Sequence, residues 1–123
     1  MIKQILLVGL GGGIGSMLRF LTSVVTARYY PSFFFLSTFA VNIIGCFLIG
    51  LLLGALGQSV HTNQDLKVLF ITGFCGGYTT FSAFAAENVH LMQNNSYWVA
   101  MLYIGLSIIT GLLAVWLGLT MAK

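Results

Sequence analysis

Four long apolar runs, set apart by short polar ones, take up almost the whole of this 123-residue chain. They extend from Ile5 to Ala27, Phe33 to Leu56, Leu66 to Val89 and Tyr97 to Leu119. A bilayer core of about 30 Å is crossed by roughly 20 residues at a helical rise of about 1.5 Å each, so every run is long enough to span it once. The pattern predicts an all-α membrane protein, a single domain of four transmembrane helices over residues 1–123. Each boundary has its own marker. After the first run come Arg28, Tyr29, Tyr30 and Pro31, a cation, two interfacial rings and the chain's one proline, which suit a water boundary and stop a helix. The polar stretch from Gly57 to Asp65 cannot stay in lipid. Between the third and fourth runs, Gln93, Asn94, Asn95 and Ser96 precede Tyr97 and Trp98, a pair suited to anchoring at the interface.

Composition settles the solvent. Hydrophobic residues make up 59% of the chain and charged ones 6%, against roughly 45–50% and about 25% in soluble domains, so no water-facing shell can be assembled. Lys3 ahead of the first run gives it the look of a secretory leader. That run nevertheless exceeds the usual leader stretch of about 7–15 apolar residues and contains Arg19, so it is expected to remain as a span. Cys46 and Cys75 both fall mid-span and read as small apolar side chains rather than as a disulfide or metal pair.

With an even number of spans, both termini and the loop between spans two and three lie on one side, which carries Lys3, Lys67 and Lys123. The other side carries Arg28 and, within the first span, Arg19. A difference of one or two cations specifies orientation weakly. It fits a chain that simply has few charges, and it also fits one that inserts both ways and pairs antiparallel. Small residues recur at fourfold spacing, Gly9 with Gly13, Gly11 with Gly15 and Gly50 with Gly54. Such pairs let helix backbones approach closely, either within one subunit or between two copies.

A polar side chain in lipid needs a reason, which directs attention to Arg19, Thr38, Asn42, the stretch Thr72 to Ser82, Glu87, Tyr103, Ser107 and Thr110. The third span is the oddest, with glycines and hydroxyl residues from Gly73 to Ser82 where a stable helix would carry Leu or Ala. The expectation is a helix broken at its centre, its freed backbone groups buried in protein or lining a cavity. Exposed carbonyls would suit a hard cation and exposed amides an anion. After the break, Phe81 and Phe84 share a helical face with the Ser82 hydroxyl nearby. Ring edges are positive, so the pair fits either ordinary packing or a small dehydrated anion.

Asn42 is the lone amide deep in the second span, with Thr38 one turn before it and Gly45 near the same face. Its NH2 group offers two donors. In the fourth span Tyr103, Ser107 and Thr110 form one row of hydroxyls, which suits an anion path but also fits bonding back to their own helix. Arg19 can snorkel to water or draw anions into a vestibule. Glu87, one turn beyond Phe84, reads as a proton-linked carboxylate or as a water-exposed group near the end of its span.

Three segments together resemble the Fluc (CrcB) family of fluoride ion channels. They are Gly-Gly-Gly-Ile-Gly-Ser-Met-Leu-Arg from Gly11 to Arg19, Phe-Ala-Val-Asn-Ile-Ile-Gly from Phe39 to Gly45, and Gly-Phe-Cys-Gly-Gly-Tyr-Thr-Thr-Phe-Ser-Ala-Phe from Gly73 to Phe84. The third is the most specific, and the likeness covers the whole chain. The resemblance implies an antiparallel, dual-topology homodimer in a bacterial inner membrane, with two fluoride pores and passive fluoride export that gives fluoride resistance. It implies a structural Na⁺ at the dimer interface, held by the backbone carbonyls of Gly76 and Thr79. It places Asn42, Thr80, Phe81, Ser82, Phe84, Glu87, Tyr103 and Ser107 along the fluoride pathway and Arg19 in the vestibule. Gly111 stands where a second hydroxyl would follow Ser107, which shortens the track and leaves Thr110 outside the expected set.

Rival readings predict other features. A proton-coupled multidrug exporter of the small four-helix type needs a carboxylate in its first span, where this chain has Arg19 and no acid. A non-conducting assembly subunit would use its polar residues for helix packing alone. An enzyme is not expected, because no acid/base pair, nucleophile constellation or metal-ligand spacing occurs, and neither is a nucleic-acid partner.

Overall fold

The computed structural model describes residues 1–57 and 64–122. The middle of the expected polar loop, Gln58 to Asn63, and the terminal charge Lys123 lie outside the described residues. The elements are α1 (Ile2–Tyr29), α2 (Leu36–Leu56), a short α3 (Gln64–Lys67) that runs into a π-helical segment (Val68–Cys75), α4 (Gly76–Tyr78), α5 (Phe81–Gln93) and α6 (Tyr97–Met121). Among the described residues there is no strand. Four helical stretches are long and apolar enough to cross a membrane, and the third of them, Gln64–Gln93, has the lowest mean hydropathy, 1.4. The expected spans were therefore found, each within a few residues of its expected ends.

Pro31 closes α1, and Tyr30 donates its amide to Thr26 at 2.7 Å before the chain turns into α2. The α5–α6 turn is made by Asn94, Asn95 and Ser96. Asn95 has φ 61°, a left-handed conformation that asparagine tolerates better than most residues.

Glycines set the packing. A methyl group at Gly11 would strike the carbonyl of Leu69, and one at Gly15 the carbonyl of Phe74, so α1 lies with its backbone directly against the third span. Gly50 and Gly118 do the same for α2 and α6, against Val115 and Phe47. Without a hydrophobic force between helices in lipid, such close backbone contact supplies much of the attraction. These glycines are spent inside the subunit, whereas Gly9 and Gly13 face open space. Large apolar side chains such as Leu10, Leu112 and Trp116 point outward, as suits a chain whose solvent is hydrocarbon.

The interruption of the third span falls within the expected stretch from Gly73 to Ser82, on its threonines rather than its glycines. Gly73, Gly76 and Gly77 remain helical, and the break falls on Thr79 (φ −85°, ψ 160°) and Thr80 (φ −151°, ψ 122°). Both threonines are extended, a backbone that β-branched residues favour. Gly73 and Gly77 instead seat this span on the backbone of Val8 and Gly12 in α1.

Candidate functional site

A two-residue break at membrane depth leaves backbone groups without helical partners, and Asn42 meets those of Thr80. The amide of Thr80 donates to Asn42 Oδ1 at 2.8 Å, and Asn42 Nδ2 donates to the carbonyl of Thr80 at 3.0 Å. One Nδ2 hydrogen is left for another acceptor. Thr80 then starts α5, its Oγ1 accepting from the amide of Ala83 at 3.2 Å. That is the usual work of a threonine at a helix start.

Both bonds divert donors from the helix. A continuous helix would send the Thr80 amide to the carbonyl of Gly76 and the Ala83 amide to that of Thr79. Here those amides go to Asn42 and to Thr80 Oγ1 instead. The carbonyls of Gly76 and Thr79 are thus among those deprived of their helical partners. Gly76 is exposed, with open space where a side chain would be. Among the described residues no cluster of three His, Cys, Asp or Glu is placed to hold a metal.

Two cavities meet at Thr80. One, of about 330 Å³, is lined by Asn42, Cys46, Ile49, Thr79, Thr80, Phe81, Phe84, Ser107 and Ile108. None of these side chains is charged. The rings of Phe81 and Phe84 lie 5.9 Å apart, inclined at 43°. Phe84 packs edge-on against Tyr103 at 5.0 Å, while Phe81 is 78% exposed in the single chain. The Ser107 hydroxyl is buried and has no hydrogen-bond partner in the single chain.

The other cavity, of about 320 Å³, is lined by Arg19 and Glu87 with Ser16, Phe20, Ser23, Phe34, Ser37, Thr38, Val41, Thr80 and Ala83. It is a vestibule of hydroxyls with one cation and one carboxylate. Arg19 lines this cavity together with Glu87. Glu87 is less open to water than its place near the end of the span suggests. Thr38 donates to its Oε2 at 2.6 Å and Tyr103 to its Oε1 at 2.8 Å, because α2 and α6 both pack beside α5 at this level.

The hydroxyl row of α6 divides three ways. Tyr103 donates a hydrogen bond to Glu87, Ser107 faces the ring-lined cavity, and Thr110 bonds back to the carbonyl of Leu106. Ser82 Oγ lies 3.3 Å from Thr80 Oγ1, at the start of α5.

The profile of the family described as CrcB-like protein, Camphor Resistance (CrcB), matches residues 6–119. The chain belongs to the CrcB family. Curated CrcB relatives match it from end to end. One from Flavobacterium psychrophilum, named fluoride-specific ion channel FluC, is 50% identical over 121 residues, covering 98% of each chain. Proteins of the same name from Azobacteroides pseudotrichonymphae and Gloeothece citriformis are 50% and 42% identical, over 96% and 98% of this chain and 94% and 97% of their own.

Within this CrcB chain the structure brings together most of the residues singled out by sequence: Asn42, Thr79, Thr80, Phe81, Phe84 and Ser107 in one cavity, and Arg19, Thr38, Thr80 and Glu87 in the other. Tyr103 lines neither of the two and reaches the vestibule through Glu87. Cys46, read from sequence as apolar filler, lines the ring cavity. Its place four residues after Asn42 and three before Ile49 was the available signal. The serines Ser16, Ser23 and Ser37 of this cavity were also missed; Ser23 and Ser37 sit near an end of their spans, where a hydroxyl is unremarkable, and Ser16 lies at the middle of α1 among glycines.

Proposed function

We propose that this protein is a fluoride-selective ion channel of the bacterial inner membrane, through which fluoride leaves the cell passively, giving fluoride resistance. The observation that carries the reading is the ring-lined cavity, with its unpartnered Ser107 hydroxyl and no charged side chain in its wall. The name shared by its relatives, fluoride-specific ion channel FluC, agrees with it.

The chemistry follows from what fluoride loses on entry. A small anion surrenders tightly held water, and the site must replace it with donors that do not trap it. Arg19 draws the anion into the vestibule, where hydroxyls accept it from water. Thr80 and Ser82, at the partition, hand it on to Asn42 Nδ2–H, Ser107 O–H and the positive edges of Phe81 and Phe84. These neutral groups bind and release, where a fixed lysine would hold. Thr38 and Tyr103, by donating to Glu87, keep its carboxylate from facing the anion with bare charge.

The proposal includes an antiparallel homodimer of dual topology. The weak charge bias supports it, as do the exposed Phe81 ring and the open face at Gly76, both of which a second copy would cover. The carbonyls of Gly76 and Thr79, deprived of helical donors, suit a hard cation such as Na⁺ at that interface, where it would neutralise carbonyl dipoles drawn together from two subunits. Fluoride efflux from proteoliposomes, followed with a fluoride electrode, tests the function. Release of fluoride without chloride, abolished in the Phe81→Ile, Phe84→Ile variant, is expected. Equal release of both ions, or no release from folded protein, would overturn the reading.

A further inference from the structure

On the rim of the vestibule stands an ionisable side chain that the path above does not use. His90 lies three residues beyond Glu87 on α5 and is exposed. Its imidazole meets the ring of Phe34 at right angles, with centroids 5.3 Å apart and planes at 88°. Phe34 is itself part of the vestibule wall, in company with Arg19 and Glu87. Asn94, which ends α5, donates from Nδ2 to the carbonyl of His90 at 3.0 Å and holds the same nitrogen 3.1 Å from His90 Nε2. A carbonyl can only accept, so Asn94 faces His90 with its NH2 group. The imidazole nitrogen beside that group can accept from it only while it carries no proton of its own.

We propose that His90 is a second, proton-controlled cation of the vestibule, which in its charged form gathers fluoride at the mouth and raises the current. The inference rests on the channel reading above. Imidazole is the side chain that ordinarily gains its charge between about pH 8 and pH 5. A proton on Nε2 would oppose the NH2 group of Asn94, so that contact is lost and the ring turns against Phe34. The new charge stands one aromatic ring from the cavity. Glu87, three residues earlier on α5, is the acid nearest in sequence, and its oxygens are engaged by Thr38 and Tyr103. From the turn before α2 the ring of Phe34 faces His90, and neither α2 nor α6 carries an Asp, Glu, Lys, Arg or His. From α1, Arg19 lines the same cavity and Arg28 lies in the last turn. Added to Arg19, a unit charge about 10 Å from the ion's route raises the local anion concentration about 1.6-fold in about 0.01 M salt and about 1.3-fold in about 0.1 M salt.

The test is fluoride current in planar bilayers with the same pH on both sides, compared at pH 7.5 and 5.5. Hydrogen fluoride carries no current, so its leakage does not enter. In about 0.01 M salt the wild type is expected to conduct roughly 1.5-fold better at pH 5.5, with the difference shrinking as ionic strength rises. His90→Gln is expected to stay at the lower level at both pH values, and His90→Lys at the higher. A wild-type current indifferent to pH, or a rise that persists in His90→Gln, would overturn the inference and leave the channel reading intact. The absence of fluoride current at every pH would sink both.

Discussion

Replacing Asn42 with alanine removes both hydrogen bonds that tie down the break, at 2.8 and 3.0 Å, and leaves the amide and carbonyl of Thr80 without them. Thr80 is 8% exposed, so water cannot readily take over. A buried group left unmet costs about 1–3 kcal/mol in soluble proteins. Within membranes the measured worth of such a bond averages about 0.6 and reaches about 1.7 kcal/mol, because the unfolded chain also finds partners. For two bonds the loss is about 1–4 kcal/mol, a factor of roughly 5 to 1000 in the balance between the ordered and the opened break. Asn42→Asp should be no gentler, although its shape is the same. It can still accept from the Thr80 amide, but it turns an oxygen toward the Thr80 carbonyl or carries a charge into the membrane at about 2.5–3.5 kcal/mol. The assay is hydrogen exchange of the 76–84 segment in reconstituted protein, alongside fluoride efflux. Faster exchange at Thr80 with loss of efflux in both variants is expected. An alanine variant whose Thr80 amide exchanges as slowly as the wild type's and whose efflux is normal would refute the clamp.

Two further perturbations probe the packing around the site. Gly15→Ala drives a methyl group into the carbonyl of Phe74 and should cost about 1–3 kcal/mol, seen as a lower melting temperature in detergent, whereas Gly13→Ala, with open space around it, should leave the fold of the subunit unchanged. Thr38→Val and Tyr103→Phe each remove one donor from Glu87. Infrared difference spectra against Glu87→Gln should show the carboxyl band move in both single variants and furthest in the double, and a band that stays put would refute the shared hydrogen bonding.

The spans were legible because hydropathy and length decide them, and nothing in the tertiary structure competes with that signal. The existence of an interruption was legible too, from the crowding of small and hydroxyl residues between Gly73 and Ser82. Which residues of that stretch leave the helix was not, since glycine serves close approach as well as irregular backbone. Gly73 and Gly77 turned out to serve the contact with α1. The partner of Asn42 lies 38 residues away in sequence, and no local pattern announces a contact of that kind. The hydroxyl row of α6 shows the same limit. Tyr103, Ser107 and Thr110 share a face, yet what each bonds to depends on α5, on the cavity and on its own helix in turn.

The most direct test of the central claim is the reversal potential of the reconstituted protein in a planar bilayer, with fluoride and chloride graded in opposite directions. The account predicts reversal at the equilibrium potential of fluoride. Reversal at that of chloride, or a folded protein that passes no current, would contradict it.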